Sequence, residues 1–381
     1  MPPNDPKRAH PKPTQQLHEL GQSLWLDAIT RTLLDNGTLE GYIADLSVTG
    51  LTSNPTIFDH AFSTGSAYDS AISERLRTGS TGEALFFDLA LDDITRAAYL
   101  FAPVHERTNH VDGWVSLEVS PLIAHDAALT LEAARSLSER AQLKNLLIKI
   151  PGTKEGLIAA EEAIFAGIAV NITLLFSREH YLAAAEAYLR AIERRMAIGL
   201  NPEVGSVASV FVSRWDVAVE DKVAPELDNL LGTAMAGRIY KAYMDLRSAA
   251  RWTRIYNAGA KPQRLLWAST GTKDPDAADT MYIAALASPF TVNTVPEKTL
   301  LAFADHGTVG PAMAADGGEC ERLLERFDEP GLILGDMADR LQEEGTRSFV
   351  KSWKDLLEVI ARKSAAIEHS PNRPLERQGD S

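Results

Sequence analysis

The sequence predicts a parallel α/β fold, a (β/α)8 TIM barrel with additional C-terminal helices, and three observations predict it. Eight short apolar, partly β-branched runs alternate with longer stretches of helical period. No G-x-G-x-x-G follows the first run, which argues against an open dinucleotide-binding sheet. The chain has 381 residues, enough for a barrel core of about 250 residues with the remainder in added helices and tails.

In chain order the runs are 23–27 (SLWLD), 48–54 (VTGLTSN), 113–120 (GWVSLEVS), 146–151 (LLIKIP), 169–176 (AVNITLLF), 207–213 (VASVFVS), 264–270 (RLLWAST) and 290–295 (FTVNTV). After the second, Asn54-Pro55 has the form of a helix N-cap followed by proline at the first helical position. After the fifth, Ser177 can cap a helix over 177–195 whose stripe is Tyr181, Ala185, Tyr188 and Ile192. Near the end, Phe349, Trp353, Leu356, Leu357 and Ile360 form another apolar stripe, expected to pack on the barrel or on a partner subunit, so self-association as a homo-oligomer stays open. Residues 1–16 and 370–381 are Pro-rich or nearly devoid of apolar side chains and read as disordered tails. That leaves 17–369 as a single barrel domain, with no internal repeat or linker to divide it.

Composition narrows the function. Lys plus Arg number 38 against 52 Asp plus Glu, a formal net charge of −14, which repels phosphate backbones and anionic lipid. No basic patch offsets it, so neither nucleic acid nor a membrane is expected as partner. Anionic metabolites then require a few well-placed cations, which makes single Arg and Lys residues informative. Cys320 is the only cysteine, so no internal disulfide can form. No run reaches the length of a membrane span, and residues 1–13 carry five prolines where a secretory signal needs an apolar stretch. A cytoplasmic location is expected.

Strands of a parallel barrel are buried on both faces, and barrel enzymes place their chemistry at the carboxyl ends of the strands. Asp27, Asn54, Glu118, Lys149 and Asn171, with Thr173 close by, occupy such positions. Each alone has an ordinary alternative as a loop-starting or helix-capping residue. Lys149 is the sharpest, because LLIKI sets an amine inside an apolar strand, and burial favours its uncharged, nucleophilic form. Its alternative is a buried ion pair with Asp27 or Glu118. Imine chemistry on a lysine also needs an acid and a base, which those two carboxylates supply.

Barrels commonly bind phosphate at the loops after strands seven and eight. Ser269, Thr270, Gly271, Thr272 and Lys273 lie there, while Ser209, Phe211 and Arg214 bring a second cation at the sixth run. The nine histidines form no H-E-x-x-H, one cysteine excludes C-x-x-C, and neither G-x-S-x-G nor a Walker loop occurs, so no metal site and no cofactor are expected.

In these residues the chain resembles the transaldolase family, in its longer bacterial branch. The likeness runs from about Ser23 to about Gly310 and is densest in SLWLD, TGLTSNPTIF, SLEVSP, LIKIPGT and GIAVNITLLFS. The resemblance implies a metal-free mechanism in which Lys149 forms a Schiff base with a ketose phosphate. Asp27 would then be the acid/base of carbon–carbon cleavage, and Glu118 and Thr173 would hold the water of imine formation. Asn54 and Asn171 would bind substrate hydroxyls. Ser209, Phe211 and Arg214 match the family's S-x-F-x-x-R block and would sit at the phosphate end.

The implied reaction moves a dihydroxyacetone unit from sedoheptulose 7-phosphate to glyceraldehyde 3-phosphate, giving erythrose 4-phosphate and fructose 6-phosphate, a step of the pentose phosphate pathway. One departure stands out: where shorter members carry A-S-F-R, this chain has Ala268-Ser269 followed by Thr270-Gly271-Thr272-Lys273, so Lys273 is the candidate for the second phosphate cation. The alternatives are an aldolase that releases free dihydroxyacetone from fructose 6-phosphate, against which Glu118 argues, and a non-catalytic barrel that only binds sugar phosphates.

Overall fold

The computed structural model describes residues 11–327 and 332–369. Its strands are β1 (Ser23–Leu26), β2 (Val48–Leu51), β3 (Val115–Glu118), β4 (Leu146–Pro151), β5 (Val170–Leu175), β6 (Ser206–Phe211), β7 (Gln263–Ala268) and β8 (Val292–Val295). Each pairs in parallel with its chain neighbours, and β1 also pairs with β8, so the sheet closes and has no open edge. All eight expected runs overlap a strand. Most runs extend past the strand's carboxyl end because their last residues already turn into the mouth: Asn54, the last of its run, caps the helix Pro55–Ser63 with its side chain, and Ser177, just after the fifth run, caps Arg178–Ala197.

Alternation of side chains along each strand divides lumen from helix layer. Register sets Glu118, Lys149 and Asn171 side by side across β3, β4 and β5, facing the lumen. Below them Trp25, Leu147, Val207, Leu266 and Val292 pack in one apolar cluster. Trp25 enters the lumen because its partner on β2 is Gly50, where a Cβ would lie 2.6 Å from the indole ring.

The end of the barrel where the strands begin is closed by a buried polar plug. Asp112 accepts from Trp25 Nε1 at 2.8 Å and from the Ser23 hydroxyl. Arg264 Nη2 donates to Ser23 Oγ and to the Thr291 carbonyl, both at 2.7 Å, and Arg264 Nη1 lies 3.6 Å from Asp112 Oδ2. Two charges in this setting are tolerable because each neutralises the other and both are hydrogen-bonded.

One expectation changes in the structure and another is narrowed. Pro13–Glu19 is a helix with Thr14 and Leu17 buried, so the ordered chain begins before residue 17: proline suits a first helical position, and Leu17 gives the short helix an anchor in the core. The rest of the expected tails, 1–10 and 370–381, lies outside the described residues. At the other end the helix Leu334–His369 buries Phe349, Trp353, Leu356 and Ile360. It packs along Pro55–Ser63, and its Trp353 ring lies 4.8 Å from Phe86 and 5.6 Å from Phe87. That apolar stripe is therefore occupied by its own barrel and offers no face to a second subunit.

Replacing Asp112 by Ala strands the Arg264 charge in the plug. The expected loss is about 3–5 kcal/mol of unfolding free energy, read from the shift in the urea midpoint. The double substitution Asp112→Ala, Arg264→Met should recover part of it.

Candidate active site

The mouth formed by the carboxyl ends of the strands holds a cavity of about 280 Å3, lined by Asp27, Asn54, Lys149, Thr173, Ser209, Phe211, Arg214 and Lys273 among others. Eight of the ten residues singled out in the sequence thus meet in one place. Asn171 and Glu118 do not line it. They lie behind it, fully or almost fully buried.

Lys149 comes into the cavity from the middle of β4. Its Nζ lies 3.1 Å from Glu118 Oε2, donates to the Ser53 carbonyl at 3.0 Å, and sits 5.6 Å from the centre of the Phe349 ring. Ser53 is held in turn by its own hydroxyl, which donates to the Ser116 carbonyl at 2.8 Å. Of the two readings of Lys149, an amine in apolar surroundings and a buried ion pair, the structure realises the pair without closing the first, because the paired amine still opens on the cavity. Glu118 Oε1 and Thr173 Oγ1 are buried without a hydrogen-bond partner among the described residues.

Asp27 follows β1 directly and accepts from Thr52 Oγ1 at 2.8 Å, and Thr52 Oγ1 lies 2.6 Å from Thr294 Oγ1. Thr52, directly after β2, thus orients the carboxyl, and Thr294 of β8 holds Thr52. Burial pushes the Asp27 carboxyl above the ordinary carboxylate range, with the charge of Lys149 pulling it partly back. Glu118 is raised for the same reason, and Lys149 opposes the shift there too. One amine thus stands near two carboxyls whose charged forms are disfavoured by burial.

Asn54 serves two ends. Its Oδ1 caps Pro55–Ser63 by accepting from Ile57 N at 3.1 Å, which leaves its amide N–H2 for the cavity it lines. Asn171 spends its side chain on the barrel, accepting from Ser209 Oγ at 2.6 Å and donating to Ser116 Oγ at 3.2 Å. Through Ser209 the amide is joined to a residue that lines the cavity.

The far wall carries two cations that form no ion pair among the described residues. The Arg214 guanidinium stands 5.4 Å from the centre of the Phe211 ring, and burial lowers its pKa, with Glu344 opposing, from a value so high that it stays charged. Lys273 lines the cavity beside Ser269 and Gly271. Ser269 adopts a left-handed backbone (φ 54°), and its hydroxyl lies 2.9 Å from that of Ser213.

A family profile described as Transaldolase/Fructose-6-phosphate aldolase matches residues 24–360. The chain belongs to this family. It is 43% identical over 363 residues to a protein named Transaldolase from Thermobifida fusca (strain YX), covering 93% of this chain and 99% of that one. It is 42% identical over 354 residues to a Transaldolase from Arthrobacter sp. (strain FB24), covering 91% and 95%. A protein named Transaldolase 2 from Nostoc punctiforme is 38% identical over 365 residues, covering 91% and 96%. The match reaches Ile360, past the limit near Gly310 suggested by the motifs, so the helix that carries Phe349 is shared with the family.

Four residues of the site escaped the sequence reading. Thr52 and Thr294 were legible in principle, since both stand where strand alternation points into the lumen. The role of Ser53 is a backbone carbonyl, which no side-chain pattern marks. Phe349 belonged to a recognised apolar stripe, but nothing local says which surface that stripe covers.

The raised Asp27 carboxyl has a stability consequence. A carboxyl that ionises with more difficulty when folded loses stability as pH rises from its ordinary range through the raised folded value. Asp27→Asn removes that loss, so the variant should melt above the wild type at neutral pH, and the difference should shrink in acid. Differential scanning calorimetry from pH 3 to pH 8 reads it; a variant that melts below the wild type at pH 8 contradicts the assignment.

Proposed function

We propose that the chain is a transaldolase that carries a dihydroxyacetone unit as a Schiff base on Lys149, from sedoheptulose 7-phosphate to glyceraldehyde 3-phosphate. The observation that carries the reading is a lysine amine opening on a cavity that Asp27, Arg214 and Lys273 line, while paired at 3.1 Å with a buried carboxyl whose pKa is raised.

Glu118 takes a proton from Lys149, and the freed amine adds to the donor's C2 carbonyl. A water bridging Glu118 Oε1 and Thr173 Oγ1, both buried without partners among the described residues, relays the proton that lets the carbinolamine expel hydroxide as water. Asp27 then removes the proton of the C4 hydroxyl, the C3–C4 bond breaks, and its electrons pass into the imine to give an enamine on Lys149. The aldehyde product departs. The acceptor aldehyde enters, the enamine carbon attacks it, Asp27 returns the proton to the new hydroxyl, and hydrolysis frees fructose 6-phosphate. Asn54 and Asn171 hold the hydroxyls of the attached three-carbon unit, and Ser209, which donates to Asn171, stands toward the phosphate end. Arg214, Ser269 and Lys273 take the phosphate, the guanidinium as a fork and the ammonium as a point charge.

On this reading the enzyme serves the pentose phosphate pathway in the cytoplasm, and its partners are its sugar phosphates. No helix among the described residues is long and apolar enough to cross a membrane.

Borohydride added with fructose 6-phosphate should leave a reduced adduct on the peptide containing Lys149, seen by mass spectrometry, and Lys149→Ala should abolish it. Arg214→Ala should raise the donor KM by about 10- to 100-fold, the value of one charge-assisted contact to phosphate. Release of free dihydroxyacetone from fructose 6-phosphate alone, as fast as the coupled transfer to erythrose 4-phosphate, would mean an aldolase instead.

A further inference from the structure

β5 breaks its ladder beside the site. Ile172 pairs with Ala208 and Leu175 with Val210, so three steps on β5 face two on β6, a one-residue bulge. Within it Leu174 takes a left-handed backbone (φ 59°), which a leucine adopts only when its surroundings hold it there. The bulge follows directly on Thr173, whose carbonyl accepts from Gly152 N at 2.7 Å and so ties the end of β5 to the residue after β4.

The holding group comes from the C-terminal helix Leu334–His369. Gln342 Nε2 donates to the Leu174 carbonyl at 2.9 Å and to the Gly152 carbonyl at 3.1 Å. One amide with two hydrogens therefore clamps the strand that carries Lys149 to the strand that carries Thr173. Three residues on, Gly345 permits the close approach: a Cβ there would lie 2.9 Å from Leu174 Cδ2 and 3.3 Å from Arg214 Nη1. Another turn brings Phe349 over Lys149. Gln342 itself does not line the cavity.

We propose that Gln342 is a positioning residue for the reaction: its side-chain amide holds the bulged, left-handed end of β5 against β4, and so keeps Thr173 aimed at the Lys149–Glu118 pair. The inference rests on the Schiff-base reading above. Because the clamp acts on the geometry of imine formation and not on the surface that receives the substrate, its loss should appear in kcat and in the rate of adduct formation, with the donor KM nearly unchanged.

Gln342→Met keeps length and bulk and deletes both donors; Gln342→Glu keeps the shape and turns the donor into an acceptor. Both are measured as full-length protein, with the final amount of borohydride-trapped adduct counting competent sites. Expected for each is a fall on the order of 10- to 100-fold in kcat and in trapping rate per competent site, with the donor KM within about twofold of wild type. If Gln342→Met traps and turns over at the wild-type rate per site, or if either variant loses its fold outright, the residue is structural and the positioning role is overturned. A wild type that yields no adduct overturns the Schiff-base reading itself, a result distinguishable from failure of the clamp alone.

Discussion

The site depends on one buried contact, the 3.1 Å approach of Lys149 Nζ to Glu118 Oε2. A buried ammonium and a buried carboxylate are each unfavourable alone. Together they are affordable, and because both sit in register on adjacent strands the barrel itself sets their separation. Burial also raises the Glu118 carboxyl, with Lys149 opposing the shift, and on the proposed mechanism that carboxyl is the group that receives the amine's proton.

Around that contact the structure fixes geometry by backbone more than by side chain. Ser53 contributes a carbonyl to Lys149, Gly50 contributes empty space for Trp25, and Leu174 contributes a turned carbonyl to Gln342. Thr52, backed by Thr294, holds the Asp27 carboxyl. The C-terminal helix brings Phe349 into the lining of the cavity and, behind it, sets Gln342 and Gly345 against the end of β5.

The sequence displayed the barrel well because parallel strands, buried on both faces, must be apolar for their whole length, so each ionisable interruption is conspicuous. Lys149 in LLIKI and Asp27 ending SLWLD are legible for that reason. The partnership of Asn171 was not, since its amide points where register directs it, toward Ser209 and Ser116. Nor was the bulge: NITLLF reads as an unbroken strand, and no glycine or asparagine marks the left-handed residue. Contacts from Leu334–His369 were hidden because periodicity tells which face of a helix is apolar and never what that face will meet. The short first helix was missed since proline-rich composition outweighed one anchoring leucine.

The Asp112–Arg264 plug has a consequence for traffic. With its base sealed, the barrel is a cup and not a tube, and every molecule must use a single doorway. A fragment cut from the first sugar has to back out before the second can come in, so the two halves of the turnover are separated in time by the architecture alone. On the Schiff-base reading, what waits inside in the interval is tethered cargo.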